Sequence, residues 1–297
     1  MGGDVVAVVL ITGCSSGIGL EAALAFAEAG DTVVATLRDP ARAGALDAAA
    51  AARRLTLDIA PLDVTRPDSF AGCIDGVVAR HGRIDVLVNN AGVLPVGAFE
   101  DFDEATLRAV METNFFGPAL LTRAALPVMR RQRSGYIIMI SSLSGLVARA
   151  GDSLYAASKF ALEGLSEGLR QEVARWNIRV ALIEPAGFAT NILRETARGS
   201  LGACGPDSPY RPLIAAQQAA LRDTLGTGFD PGDLARLIVA VSRSDGSRLR
   251  WAADPVAERV MATLFAGDDA ARAAFIDSVS GAAWWAAGEA PPREIAP

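Results

Sequence analysis

Lysine is almost missing from this chain: of 28 basic residues, only Lys159 is not arginine. Where arginine serves for every other positive charge, a retained lysine marks a place for compact donor geometry and a mobile pKa. Histidine is equally scarce, with His81 alone, and the three cysteines (Cys14, Cys73, Cys204) are odd in number and scattered. This argues against a disulfide framework and against a His/Cys zinc site, so no metal is expected. Net charge is −6, which lacks the basic face of a nucleic-acid binder and the attraction to an anionic membrane. The longest early apolar run, Val5–Ile11, falls far short of the roughly 20 residues of a membrane span. No basic segment precedes it, so it does not read as a signal peptide. There are no internal repeats and no linker. The expectation is a cytoplasmic protein of one domain over 1–297, with a frayed tail at 288–297.

What is present is a chain that is 51% hydrophobic, enough for a sizeable core. Val5–Ile11, Thr32–Thr36, Leu55–Leu62, Asp85–Asn89, Tyr136–Ser141, Arg179–Glu184 and Arg248–Trp251 read as strands. Pro61 suits an edge strand, since proline cannot donate to a ladder. Helices are expected over Gly17–Ala29, Arg42–Ala52, Pro67–Arg80, Glu104–Arg131, Ser153–Arg175, Asp230–Ser242 and Pro255–Phe265. Strand–helix alternation of this kind predicts an α/β Rossmann-type fold, a doubly wound parallel sheet of about seven strands with helices on both faces. Gly, Pro and Ser interrupt the pattern from Pro185 to Phe229. A stretch that long inside one domain reads as a substrate loop or lid, about 186–229.

Thr12-Gly13-Cys14-Ser15-Ser16-Gly17-Ile18-Gly19 lies between the first strand and the first helix. Glycines there permit a tight turn and close approach of a pyrophosphate to a helix N-terminus. At the end of the second strand, Arg38 suits the 2′-phosphate of NADP(H); Asp39 on the ribose would leave NAD(H) open. Lys159 follows Tyr155 by four residues, so both share one helix face. A fixed ammonium there favours a phenolate and lowers the phenol's pKa toward useful acid–base chemistry. Ser142, with Ser141 as its competitor, sits past the fifth strand, where it could hold a substrate carbonyl. Asn90-Ala91-Gly92 ends the fourth strand at the same sheet edge, and Asn114 interrupts an apolar helical stretch, as a kink cap or a water holder.

Together these residues resemble the short-chain dehydrogenase/reductase family. Thr12–Gly19 matches its cofactor loop, Asn89–Gly92 its N-N-A-G motif, and Asn114, Ser142, Tyr155 and Lys159 its tetrad. Asp63, followed by Val64, resembles the family's adenine-contacting aspartate. The likeness covers about Val5 to Thr190 and is closest to the hydroxysteroid and retinol dehydrogenase branch, which often prefers NADP(H). Pro185-Ala186-Gly187 departs from the family's usual Pro-Gly, while Pro185, Gly187 and Thr190 still fall in the cofactor-contacting stretch. The resemblance implies Tyr155 as the acid/base, Ser142 polarising the carbonyl, Lys159 lowering the Tyr155 pKa and holding the ribose, and Asn114 positioning a relay water. It also implies a homodimer or homotetramer through the helices carrying Asn114 and Tyr155.

Leu94, Val96, Leu143, Phe188, Ile192 and Leu193 are the expected pocket walls, extended by Leu201, Tyr210, Leu213 and Ile214. An apolar pocket with few polar anchors suits a bulky ketone or secondary alcohol of steroid, retinoid, polyketide or aryl type. The expected activity is NADPH-dependent carbonyl reduction. The alternatives are an NAD(P)-dependent alcohol dehydrogenase running oxidatively and a non-catalytic NADP sensor, against which the intact tetrad argues. His81 reads as an exposed helix cap, and Trp284-Trp285 as packing first, ahead of closing the pocket or joining a subunit contact.

Overall fold

A computed structural model describes residues 6–188, 192, 204–266 and 289. Seven strands, β1 (Val8–Thr12), β2 (Thr32–Leu37), β3 (Asp58–Pro61), β4 (Val86–Asn89), β5 (Gly135–Ile140), β6 (Ile178–Glu184) and β7 (Arg250–Ala252), form one sheet. Every pairing is parallel and the order is β3-β2-β1-β4-β5-β6-β7. The chain winds outward in both directions from the β1–β4 junction, the switch point at which such sheets open a crevice beyond their carboxyl ends.

The continuous apolar strands follow from burial on both faces. Val9 and Ile11 of β1 pack with α1 (Gly17–Glu28), α2 (Gly44–Arg53) and a later helix, Pro231–Ser242. Val8 and Leu10 pack on the other face with α3 (Phe70–His81), α5 (Gly117–Gln132) and α6 (Ser153–Val173). The remaining helices are α4 (Glu104–Met111), α7 (Arg211–Thr227), α8 (the Pro231–Ser242 helix) and α9 (Pro255–Ala266). No helix among the described residues is long and apolar enough to cross a membrane.

Several boundaries differ from the sequence reading for local reasons. The Arg42–Ala52 helix starts at Gly44, because Asp39 caps a short turn over Pro40–Arg42 by accepting from the Ala41 amide. β3 is shorter than Leu55–Leu62: Leu55 donates back to Ala50 and closes the end of α2. Pro61 does lie on the edge strand. The single helix expected over Glu104–Arg131 is α4 and α5 joined through a π-helical turn, Glu112–Phe116. The expected loop of 186–229 contains α7, with 17 residues. His81 is not exposed: its Nε2 lies 2.8 Å from the Asp58 carboxylate. Trp284, Trp285 and the 290–297 part of the tail lie outside the described residues.

Candidate active site

The glycine loop is locked to the end of β4. The Thr12 hydroxyl accepts from the amides of Asn90 (2.9 Å) and Ala91 (3.0 Å), and Asn90 Nδ2 donates to the Thr12 carbonyl at 2.8 Å. Gly13 and Gly17 have φ of 74° and 59°, which only glycine adopts without strain. A Cβ on Gly19 would lie 2.3 Å from the Gly13 carbonyl and 2.4 Å from Asn90 Nδ2, so loop and turn meet there without room for a side chain. Ser16 makes no side-chain cap on α1, and the first turn carries no acidic residue. The amides at this helix start are therefore left for an anion. Cradle and bare helix terminus fit the pyrophosphate of a dinucleotide.

One cavity of about 840 Å³ runs along the carboxyl edge of the sheet. Gly13, Ser15, Ser16, Gly17, Ile18 and Gly19 line one end with Arg38, Asp63, Val64, Asn90, Ala91 and Gly92. Arg42 and Thr65 stand there too and were not expected; Arg42 was read only as the start of a helix. Arg38 is exposed at the mouth, whereas the Asp39 carboxylate is engaged in its cap. Pro185, Ala186 and Gly187 all reach the cavity wall despite the extra alanine. Thr190 lies outside the described residues.

Ser142, Tyr155 and Lys159 meet at the middle of this cavity. The structure separates the two serines. Both line the cavity, but the Ser141 hydroxyl is spent on Glu163, to which it donates, whereas Ser142 Oγ accepts from the Ser144 amide at 3.1 Å and lies against Tyr155. The Ser142 hydroxyl lies close enough to Tyr155 to favour its phenolate. Even so, crowding around the ring pushes the Tyr155 phenol up to about 12. The expected depression of that phenol is thus outweighed by burial. Lys159 Nζ donates to the Ile140 carbonyl at 2.8 Å and stands 5.7 Å from the Tyr155 ring centre. Burial brings the Lys159 ammonium down to about 8, against the pull of Glu184 and Glu163.

Asn114 sits in the π-helical turn and is buried. Its Oδ1 accepts from the Val93 amide and its Nδ2 donates to the Val93 carbonyl, each at 2.9 Å, and to Ser158 Oγ at 3.0 Å. Both amide hydrogens are used, so only an Oδ1 lone pair is left for a relay water on the Gly92 side. A Cβ on Gly92 would come 3.3 Å from that Oδ1 and 4.0 Å from Lys159 Nζ.

Of the residues read as substrate walls, Leu94, Leu143, Phe188 and Ile192 line the same cavity. Val96 instead belongs to a small core with Leu213 and Ile214 and lines only an adjoining cavity of about 50 Å³. Tyr210 points outward and donates to Glu100. Leu193 and Leu201 lie outside the described residues. Three contributors were missed, one of them the pair Val256 and Val260 of α9. Leu221, Thr224 and Thr227 bring one face of α7 to the cavity, and Arg149 adds a guanidinium whose Nε lies 3.3 Å from Asp152 Oδ2. The wall is therefore not wholly apolar. Among the described residues no cluster could hold a metal.

The short chain dehydrogenase family profile matches residues 7–200. Retinol dehydrogenase 8 of Bos taurus is 40% identical over 252 residues, covering 82% of this chain and 80% of that protein. The crystal structure of a short-chain dehydrogenase from Streptomyces avermitilis aligns with a TM-score of 0.77 and 35% identity, covering 96% of this chain and 98% of that one. A metagenomic short-chain oxidoreductase in complex with NADP aligns with a TM-score of 0.65 and 29% identity, covering 83% of this chain and 96% of that one.

Proposed function

The chain belongs to the short-chain dehydrogenase/reductase family, whose members act on CH–OH and C=O groups, and from that premise we propose that it is an NADPH-dependent reductase of bulky hydrophobic ketones. The observation that carries this reading is the convergence of Ser142, Tyr155 and Lys159 on one cavity that also contains the glycine loop.

A nicotinamide cofactor supplies the hydride in this chemistry. Gly13, Ser15 to Gly19, Asp63, Val64, Asn90 to Gly92, Pro185 and Gly187 are the residues that would hold it, with Lys159 on its ribose. Arg38 and Arg42 at one end of the cavity favour a 2′-phosphate, and the NADP complex of a structural relative agrees with that choice. Tyr155 donates its proton to the carbonyl oxygen. The Tyr155 phenol, raised by burial, is protonated at neutral pH, as a proton donor to the carbonyl oxygen must be. Ser142 hydrogen-bonds the same oxygen as negative charge grows on it. Lys159 places a positive charge beside the phenolate left behind. Asn114 pins the Val93 backbone beside Gly92 and keeps the wall of the site in register. α7 closes one side of the cavity, and Arg149 anchors a polar group of the substrate.

Fluorescence titration with NADPH and NADH, followed by a panel of hydrophobic ketones, tests the reading. NADPH should bind more tightly, and the double variant Arg38→Ala/Arg42→Ala should erase that preference, about tenfold or more. NADPH binding with no oxidation across a broad panel would overturn the reductase in favour of a sensor.

A further inference from the structure

Behind the catalytic serine turn lies a buried acid that this chemistry does not use. Glu184, the last residue of β6, has no solvent exposure, and neither carboxylate oxygen makes a hydrogen bond of good geometry, although Glu163 and Ser141 lie close by. Almost all buried polar groups are paired, so such an exception requires an explanation. A bare carboxylate in that setting is costly; a protonated one is not. Burial, and then the proximity of Glu163, hold the Glu184 carboxyl well above the usual carboxylate range.

The surroundings define what this acid can influence. From α6, Glu163 accepts from Ser141 on one oxygen and from Arg250 Nε of β7 at 2.8 Å on the other. Arg250 also reaches Glu167 at the surface, at 2.8 Å. Lys159 stands one helical turn before Glu163 and feels both acids. Tyr155 feels Glu184 as well. Asp254, on the segment after β7, is turned to other tasks, accepting from the amides of Ala186, Val256 and Ala257.

We propose that Glu184 is a positioning residue that governs the charge of Lys159: it holds a proton shared toward Glu163 at neutral pH and ionises as the pH rises. Its carboxylate then keeps the Lys159 ammonium charged to a higher pH than Glu163 alone would. The two groups titrate as a coupled pair. Loss of the Glu184 proton to solvent adds a negative charge behind Lys159 just as that ammonium is tending to lose its own. The inference rests on the reading of Lys159 as part of the catalytic set, but its test does not require turnover.

Because the chain has one lysine, isotope labelling of lysine Nζ gives a single side-chain resonance, which belongs to Lys159. Its titration is followed in the full chain and in Glu184→Gln, without cofactor. The variant should titrate lower by about half a pH unit or more, and coincident midpoints would overturn the proposal. Infrared spectra of the wild-type chain at neutral pH should show the carbonyl band of a protonated, buried carboxylic acid. That band should shift on isotope labelling of glutamate carboxyls and vanish in Glu184→Gln. Its absence from the wild type would equally overturn the proposal, even if the variant failed to fold. Both readings hold on a chain that reduces no ketone, so failure here and failure of the reductase assignment are separate results. Where turnover is measured, the alkaline limb of kcat/KM should move to lower pH in Glu184→Gln, while the KM for NADPH at neutral pH stays constant.

Discussion

Burial moves both titrating side chains of the Tyr155–Lys159 pair toward their neutral forms. Tyr155 rises from 10.0 to about 12, so the folded chain binds more protons than the unfolded one between those values. Its stabilising contribution is complete below about 10 and is lost as the pH climbs through 12. Tyrosinate absorbance of the free chain should therefore have a component near pH 12 that Tyr155→Phe removes; complete titration near pH 10 would contradict it. Lys159 has the opposite sign. Its pKa falls from 10.5 to about 8, so the unfolded chain binds more protons in that window and stability rises with pH across it. The difference in denaturant midpoint between the wild type and Lys159→Met should show the rise across the window, because Cys14 and Tyr155, both raised to about 12, pull the other way in either chain. The serines allow a sharper test. Ser142→Ala should lower kcat by about a hundredfold or more, since it removes the cavity-facing hydroxyl. Ser141→Ala should leave Ser142 in place and act mainly on Glu163 and its neighbours. Tyr155, Ser142 and Lys159 were legible in the sequence because their spacing along one helix and one sheet edge fixes where they meet. Arg149 was not, because a lone arginine among 27 carries no sign of facing inward rather than toward solvent.

At the scale of elements, the glycine loop and α1 work only as a unit with the β4 turn. Gly19→Ala would force a Cβ against the Gly13 carbonyl and Asn90, both in the cofactor cradle. It should abolish NADPH binding and destabilise the fold by about 1–3 kcal/mol, read by titration and by chemical denaturation. Gly72→Ala on α3 is the control: it is exposed with nothing within 4 Å, and it should stabilise by about 0.5–1 kcal/mol. A Gly19→Ala chain that bound NADPH normally would show that the cradle is elsewhere. The strands and most helices were legible because two-sided burial writes continuous apolar runs and one-sided burial writes a helical stripe. α7 was not, for a physical reason. Leu213 and Ile214 pack inward, but the stripe then passes through Gln217, Leu221 and Thr224 toward a cavity rather than a core. A face turned to a cavity has no need of unbroken hydrophobicity. The π-helical turn at Glu112–Phe116 was hidden for another reason: Asn114 fixes it through contacts with Val93 and Ser158, which are distant in sequence.

For the whole molecule, the outward side of the helical segments that carry Asn114, Tyr155 and Lys159 predicts assembly. Phe116, at the end of the π-helical turn, and Phe160, next to Lys159 on α6, are each 41% exposed. Large aromatic side chains on neighbouring helices mark a surface to be covered. Farther along α6, Gly164 and Gly168 have nothing within 4 Å of where a Cβ would stand, which leaves room for a second helix to approach. We propose that two copies meet across this face to form a homodimer or a homotetramer built from such dimers. On a two-fold interface each residue counts twice, so Phe116 and Phe160 contribute four rings, and burying the exposed two-fifths of each is worth roughly 0.6–1.2 kcal/mol. Removing them should therefore cost about two to three powers of ten in dissociation constant. Sedimentation velocity should find the wild-type chain as a dimer or tetramer and Phe116→Glu/Phe160→Glu as a monomer with an unchanged circular dichroism spectrum. A monomeric wild type, or an assembly indifferent to both charges, would place the interface elsewhere. Because Phe160 adjoins Lys159, the monomer should also lose turnover in part, with more loss in kcat than in NADPH binding, as α6 gives up the partner that holds its outer face.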